Sequence, residues 1–129
     1  MTQAELEQAV VDFTDAFNRE DLDGVMALFA DDAIYDEYDG RRHAGKAAIR
    51  AAFEPQFRGD FGRMRFVTED LFADAGSGKA LIRWLCTLER GGKKRGWRGL
   101  DILHFSGGKV VEKRTYAKAD RLQLAELPA

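Results

Sequence analysis

Residues 79–105 read KALIRWLCTLERGGKKRGWRGLDILHF. Two alternating runs lie in this stretch, divided by a pair of glycines. In the first, Ala80, Ile82, Trp84, Cys86 and Leu88 share one phase, and Leu81, Arg83, Leu85, Thr87 and Glu89 share the other. In the second, Trp97, Gly99, Asp101, Leu103 and Phe105 fall together. Alternation of this length marks strands half-buried against a core. Gly91-Gly92 suits a tight hairpin turn, whose central residues need positive φ. The stretch therefore predicts two long antiparallel strands, Lys79 to Arg90 and Lys94 to Phe105, with the tryptophan-bearing face turned inward.

The neighbouring segments extend that sheet. Ser106-Gly107-Gly108-Lys109 is a second tight turn, leading into a last strand from Val110 to Ala117. On the other side, Arg65 to Ala73 reads as a strand that ends at the turn signal Asp74-Ala75-Gly76-Ser77-Gly78. Short glycine-rich connections make the sheet mostly antiparallel. The first half differs. Leu6, Ala9, Val10, Phe13, Ala16 and Phe17 recur at spacings of three and four, the stripe of an amphipathic helix. Thr2 and Glu5 form a capping box ahead of it. Asp21 or Asp23 can cap a short second helix carrying Leu22, Val25, Met26 and Phe29. Residues 33–38 form a β-friendly segment stopped by Asp39-Gly40. A third helix fits Gly45 to about Phe57, with Ala48, Ile49, Ala52 and Phe53 inward and Pro55 as a candidate kink or early end. Helices first and strands afterwards define an α+β class. Three helices on the concave face of a bent sheet would enclose a cavity.

Composition bounds the function. A chain of 129 residues with 45% hydrophobic residues is one domain's worth, 1–129, with one core. Twenty basic against 22 acidic residues leave a net charge of −2, which argues against nucleic-acid and anionic-membrane partners. A single cysteine permits no intrachain disulfide. The segment Met1 to Asp12 has no basic residue, unlike a signal peptide, and no stretch is long and apolar enough for a membrane span. A cytoplasmic protein is the expectation.

Asp101 is the sharpest anomaly, because a carboxylate on the inward phase of a strand is costly unless it is paired, protonated or wetted by a cavity. It reads either as a pocket acid or as a structural partner of backbone or arginine. Asp36, Glu37 and Asp39 form an acidic cluster that is either a solvated loop or a source of a carboxylate base. Trp84 and Trp97 are core residues, or a ligand wall if a cavity exists. Cys86 has no basic partner at local spacing and reads as a buried inert thiol. His43 falls in a loop, and His104 on the face opposite Asp101. Two histidines and one cysteine without ligand spacing point to no metal, and no phosphate loop, dinucleotide fingerprint or nucleophile elbow implies a cofactor. Arg90, Lys93, Lys94, Arg95 and Arg98 concentrate positive charge at a hairpin tip, where long cations are readily solvated.

Three strings, with the order of elements, resemble the nuclear-transport-factor-2-like superfamily, the cone-shaped fold of ketosteroid isomerases and SnoaL-like polyketide cyclases. They are Asp21-Leu22-Asp23-Gly24 through Leu28-Phe29-Ala30-Asp31-Asp32-Ala33, then Gly45-Lys46-Ala47-Ala48-Ile49-Arg50, then Leu100-Asp101-Ile102-Leu103-His104-Phe105 with Gly108-Lys109-Val110-Val111. The resemblance implies that Asp101 matches the oxyanion-hole aspartate of ketosteroid isomerase, an enzyme that pairs a neutral carboxylic acid with a carboxylate base. Glu37 or Asp36 matches the base, depending on which string the count starts from. Phe13 stands at the position of the family's oxyanion tyrosine, and Thr115 at the last-strand acid of cyclases and epoxide hydrolases. Phe13, Trp84, Cys86, Leu88, Trp97, Lys113 and Thr115 are the implied substrate-binding positions, and Lys113 is a cation that can pair with Asp101. The expected partner is a small apolar ligand, turned over by proton transfer on a carbonyl compound. The competing readings are a ligand-binding domain without catalysis and a homodimerising scaffold built on Leu81, Leu85, Leu100 and Ile102 of the outer sheet face.

Overall fold

The computed structural model describes residues 1–119, 121 and 124–128. Helix α1 (Gln3–Asn18) opens on the expected capping box: the Thr2 hydroxyl accepts from the Glu5 backbone N–H, and the Glu5 carboxylate accepts from the Thr2 N–H. Its apolar stripe buries Leu6, Val10, Phe13, Ala16 and Phe17. Two side-chain amides fasten it lengthwise to strand β3 (Arg63–Asp74). Gln3 donates to the Ala73 carbonyl at 2.7 Å and accepts from the Ala75 N–H at 3.0 Å. Asn18 does the same with the backbone of Phe66, at 2.9 and 2.8 Å. Helix α2 (Leu22–Ala27) is capped by Asp21, whose carboxylate accepts from the Gly24 N–H. Helix α3 (Lys46–Phe57) buries Ile49 and Phe53 and runs through Pro55. A proline so near the end costs one hydrogen bond and leaves the preceding turns intact.

The other strands are β1 (Phe29–Asp36), β2 (Arg42–Ala44), β4 (Lys79–Arg90), β5 (Lys93–Ser106) and β6 (Lys109–Ala117). They form one six-stranded sheet in the order β2-β1-β6-β5-β4-β3, which does not close on itself. All neighbours are antiparallel except β1 and β6, which run parallel. The three helices cover one face of this sheet, and the core lies between, with Leu6, Val10, Ile49, Ile82, Leu103 and Val110 fully buried. The architecture is the expected α+β arrangement of three helices on a bent, mostly antiparallel sheet. Gly91 and Gly92 carry φ of 58° and 76°, the conformation the β4–β5 hairpin requires.

Three local expectations are corrected. Phe29 opens β1 instead of closing α2, because the helix ends at Ala27 and Phe29 pairs with Val110 on β6. The first strand is accordingly displaced from 33–38 to Phe29–Asp36. His43 lies on a short strand rather than in a loop, since β2 pairs with β1 through Ile34–Ala44, Tyr35–His43 and Asp36–Arg42. No helix among the described residues is long and apolar enough to cross a membrane.

Candidate functional site

The inward phases of β4, β5 and β6 meet over the concave face of the sheet, and their register assembles a polar cluster. Asp101 on β5 stands opposite Thr115 on β6 and Ile82 on β4. Lys113, two residues before Thr115, shares its face of β6, and Trp84 occupies the next inward position of β4. The Lys113 ammonium donates to Asp101 Oδ1 at 3.0 Å and to Thr115 Oγ1 at 2.7 Å. The Thr115 hydroxyl donates to the same Oδ1 at 2.6 Å, and the Trp84 indole N–H to Oδ2 at 3.2 Å. Asp101, Lys113 and Thr115 are 7%, 5% and 8% exposed. Every contact of Asp101 is one in which its oxygens accept, so the geometry is that of a carboxylate rather than a neutral acid. The ammonium also faces aromatic rings: its Nζ lies 4.6 Å from the Tyr35 centroid, 5.8 Å from Phe53 and 6.0 Å from Phe17. Aromatic faces attract a cation at such distances, which helps hold the charge away from water.

This cluster forms part of the wall of a cavity of about 1340 Å³. Phe13, Phe17, Tyr35, Phe53, Phe66, Trp84 and Trp97 give the chamber an aromatic lining, and Ala48, Ala51 and Ala52 of α3 close one side with small residues. Trp84 and Trp97 meet edge to face at 5.0 Å, and Tyr38 packs beside Trp97 at 5.8 Å. Gly99 permits the Trp84 orientation. A Cβ there would come within 2.6 Å of the far edge of the Trp84 ring and also strike the Tyr116 carbonyl.

A second polar group lies on the same cavity. The β1–β2 hairpin is extended past its last ladder pair by the Glu37 N–H bonding to the Arg41 carbonyl at 2.8 Å. That turn brings Glu37 round to His43: Oε1 and Nε2 are 2.7 Å apart, and the Arg41 guanidinium reaches Oε2 at 3.3 Å. The Glu37 and His43 side chains are only 12% and 20% exposed, and both line the cavity. With the carboxylate accepting, His43 donates through Nε2.

The structure therefore gathers Glu37, Phe13, Trp84, Leu88, Trp97, Asp101, Lys113 and Thr115 around one cavity. Asp36 and Cys86 are not on its wall. Asp36 alternates away from Tyr35 on β1, as strand geometry requires. Cys86 is fully buried, and burial pushes its thiol up to about 12, far from a nucleophile's range. Two wall residues had no functional signal in the sequence. Tyr35 is buried with only 8% exposure, and burial, followed by the Asp101 and Glu37 charges, pushes its phenol well above the usual value, so it stays a hydroxyl. His43 gives a signal only when paired with Glu37 six residues earlier. Among the described residues, no three of His, Cys, Asp and Glu gather in a way that would hold a metal ion.

The chain belongs to the SnoaL-like domain family, whose model matches residues 10–113. Solved structures with a similar fold include an NTF2-like protein of unknown function from Mesorhizobium loti, 23% identical over 91% of this chain and 93% of its own, with a TM-score of 0.76. A candidate polyketide cyclase from Xanthomonas campestris pv. campestris is 19% identical, with 88% and 90% of the two chains covered and a TM-score of 0.74. AclR, a candidate hydroxylase from Streptomyces galilaeus, is 20% identical over 91% of each chain, also at 0.74. At these identities the likeness is one of fold. No curated protein matches the chain.

Proposed function

We propose that this protein binds a small, largely apolar carbonyl compound in its aromatic cavity and moves a proton on it. One observation carries the reading: two separate polar groups, Glu37 with His43 and Asp101 with Lys113 and Thr115, open onto the same apolar chamber. An apolar cavity with a few convergent polar groups is the usual form of a small-molecule site, and proton transfer needs a base and a hydrogen-bond donor within reach of one substrate. Glu37 is the proposed base, oriented by His43 and Arg41. Asp101 is proposed to act as a carboxylate that fixes the Lys113 ammonium, whose charge favours the negative charge that develops on a substrate oxygen when an adjacent carbon loses its proton. Membership of the SnoaL-like family, and solved structures of similar fold that carry cyclase and hydroxylase names, support small-molecule chemistry of this general kind.

Binding is directly measurable, because the protein's two tryptophans, Trp84 and Trp97, both line the cavity. Titration with α-tetralone, a rigid bicyclic aryl ketone, should quench their fluorescence saturably. An unchanged spectrum at saturating ketone would contradict the proposal.

A ligand-binding role without turnover is the second reading, favoured by the fully satisfied hydrogen bonding of Asp101. We also propose that the protein is a cytoplasmic homodimer. Leu81, Leu85, Leu100 and Ile102 are only half-buried on the outer sheet face, where Val67, Phe72 and Tyr116 are exposed. Light scattering at micromolar concentration should give twice the 14.5 kDa chain mass, and a monomer would refute the dimer.

A further inference from the structure

We propose that the ligand carries a carboxylate at its outer end, held at the mouth of the cavity by Lys118 and Arg121, with its carbonyl group inside at Glu37. This rests on the carbonyl-compound reading above and adds the group that distinguishes the ligand from a neutral ketone.

The charges on the cavity wall are out of balance with the rest of the chain. Twenty basic and 22 acidic residues give the whole protein a net charge of −2. The wall instead carries two carboxylates, Glu37 and Asp101, against four permanent cations, Arg41, Lys113, Lys118 and Arg121. Both carboxylates are already matched: Asp101 pairs with Lys113, and Glu37 with Arg41, which also reaches Asp39. Lys118 and Arg121 are left over, since neither joins an ion pair with another described residue. Cations of one sign beside an apolar cleft focus a field that draws in a ligand of the opposite sign.

Their position suits the far end of a ligand. Both are exposed and line the cavity, as do the half-exposed Tyr38 and Phe61, so this is the open side of the chamber. Lys118 is fixed there by β6: its backbone N–H bonds to the Arg98 carbonyl at 2.8 Å, one step beyond the Gly99–Ala117 pair. Asp36 stands beside Arg114 in the parallel ladder, so Glu37 is level with Thr115. Lys118 lies three residues further along the chain, roughly 10 Å at the rise of a strand. Trp97, packed beside Tyr38, supplies aromatic surface on the same wall. The ligand these features describe is an aromatic keto acid, its carbonyl and carboxylate separated by a rigid apolar spacer. A guanidinium and an ammonium together suit a carboxylate, whose oxygens accept charge-assisted hydrogen bonds from both.

The test compares para,para′-acetylbiphenylcarboxylate, a rod whose spacer matches that interval, with the corresponding neutral carboxamide, by isothermal titration calorimetry. At low salt the wild type should bind the carboxylate about fivefold more tightly than the carboxamide. Added salt should shrink that preference, because exposed charges are screened. The double variant Lys118→Gln/Arg121→Gln, which alters only exposed side chains, should lose the preference and keep its affinity for the carboxamide and for α-tetralone. Equal binding of acid and amide by the wild type, or a preference that persists in the double variant, would overturn the inference and leave the cavity reading intact. Binding of α-tetralone with neither biphenyl bound would overturn it too, because the chamber would then not extend to the two cations. Failure of α-tetralone and both biphenyls to bind the wild type would overturn the cavity reading, and this inference with it.

Discussion

Replacing Asp101 by leucine tests the polar floor of the cavity without knowledge of any substrate. The substitution removes the acceptor for three donors at once: Lys113 Nζ at 3.0 Å, Thr115 Oγ1 at 2.6 Å and Trp84 Nε1 at 3.2 Å. Thr115 can turn its hydroxyl elsewhere, and the indole N–H borders the cavity, so the ammonium dominates the cost. Lys113 is 5% exposed, and its remaining partners are one hydroxyl and the faces of Tyr35, Phe53 and Phe17. Breaking a buried ion pair by removing one member costs about 3–5 kcal/mol. For a chain of this length roughly 4 °C accompanies each kcal/mol, so Tm should fall by about 12–20 °C. Replacing both members, Asp101→Leu with Lys113→Met, should bring Tm back to the wild-type value or above, because apolar pairs of similar size match or exceed buried ion pairs in stability by up to about 4 kcal/mol. Differential scanning calorimetry of the two variants gives both numbers. An Asp101→Leu variant that melts with the wild type would refute the ion-pair account.

Two other variants probe the surroundings. Burial raises the Cys86 thiol from 9.0 to about 12, so between those pH values the unfolded chain loses a proton that the folded chain retains. Stability is therefore unaffected by Cys86 below pH 9 and falls above it, by about 1.4 kcal/mol per pH unit at most. Urea unfolding at pH 8 and pH 10 should show a smaller alkaline loss in Cys86→Ala than in the wild type, and equal losses would contradict this. Gly99→Ala drives a methyl into the Trp84 ring and the Tyr116 carbonyl. It should destabilise by about 1–3 kcal/mol and shift the tryptophan emission, while an unperturbed melt would refute the packing argument.

The parts of this structure that were legible in the sequence are those encoded locally. Alternation in β4 and β5 placed Trp84, Trp97 and Asp101 on one face because the side-chain period of a strand is fixed at two. The capping box at Thr2 and Glu5 was legible for the same reason. What could not be read depended on pairings between distant segments. β2 is only three residues long, Arg42-His43-Ala44, too short to show any period, and it is a strand because β1 supplies its partner. Without that register, the choice between Asp36 and Glu37 stayed open, and the Glu37–His43 pair was invisible. Phe29 continued the helical spacing of Val25 and Met26, but pairing with Val110 across a parallel ladder claimed it for β1. The Asp101–Lys113 pair was anticipated through the family resemblance, whereas its aromatic surroundings come from α1, β1 and α3 meeting over the sheet.

The proposed transfer of a proton by Glu37 on a carbonyl compound held in the cavity has a direct test. The direct measurement is nuclear magnetic resonance of α-tetralone in deuterated water, following loss of the signal from the carbon beside the carbonyl. The wild-type protein should accelerate that exchange above the buffer rate, and Glu37→Gln, which keeps the shape but removes the base, should slow it by about 100-fold or more. Exchange at the same rate with wild type, Glu37→Gln and buffer alone would contradict the account.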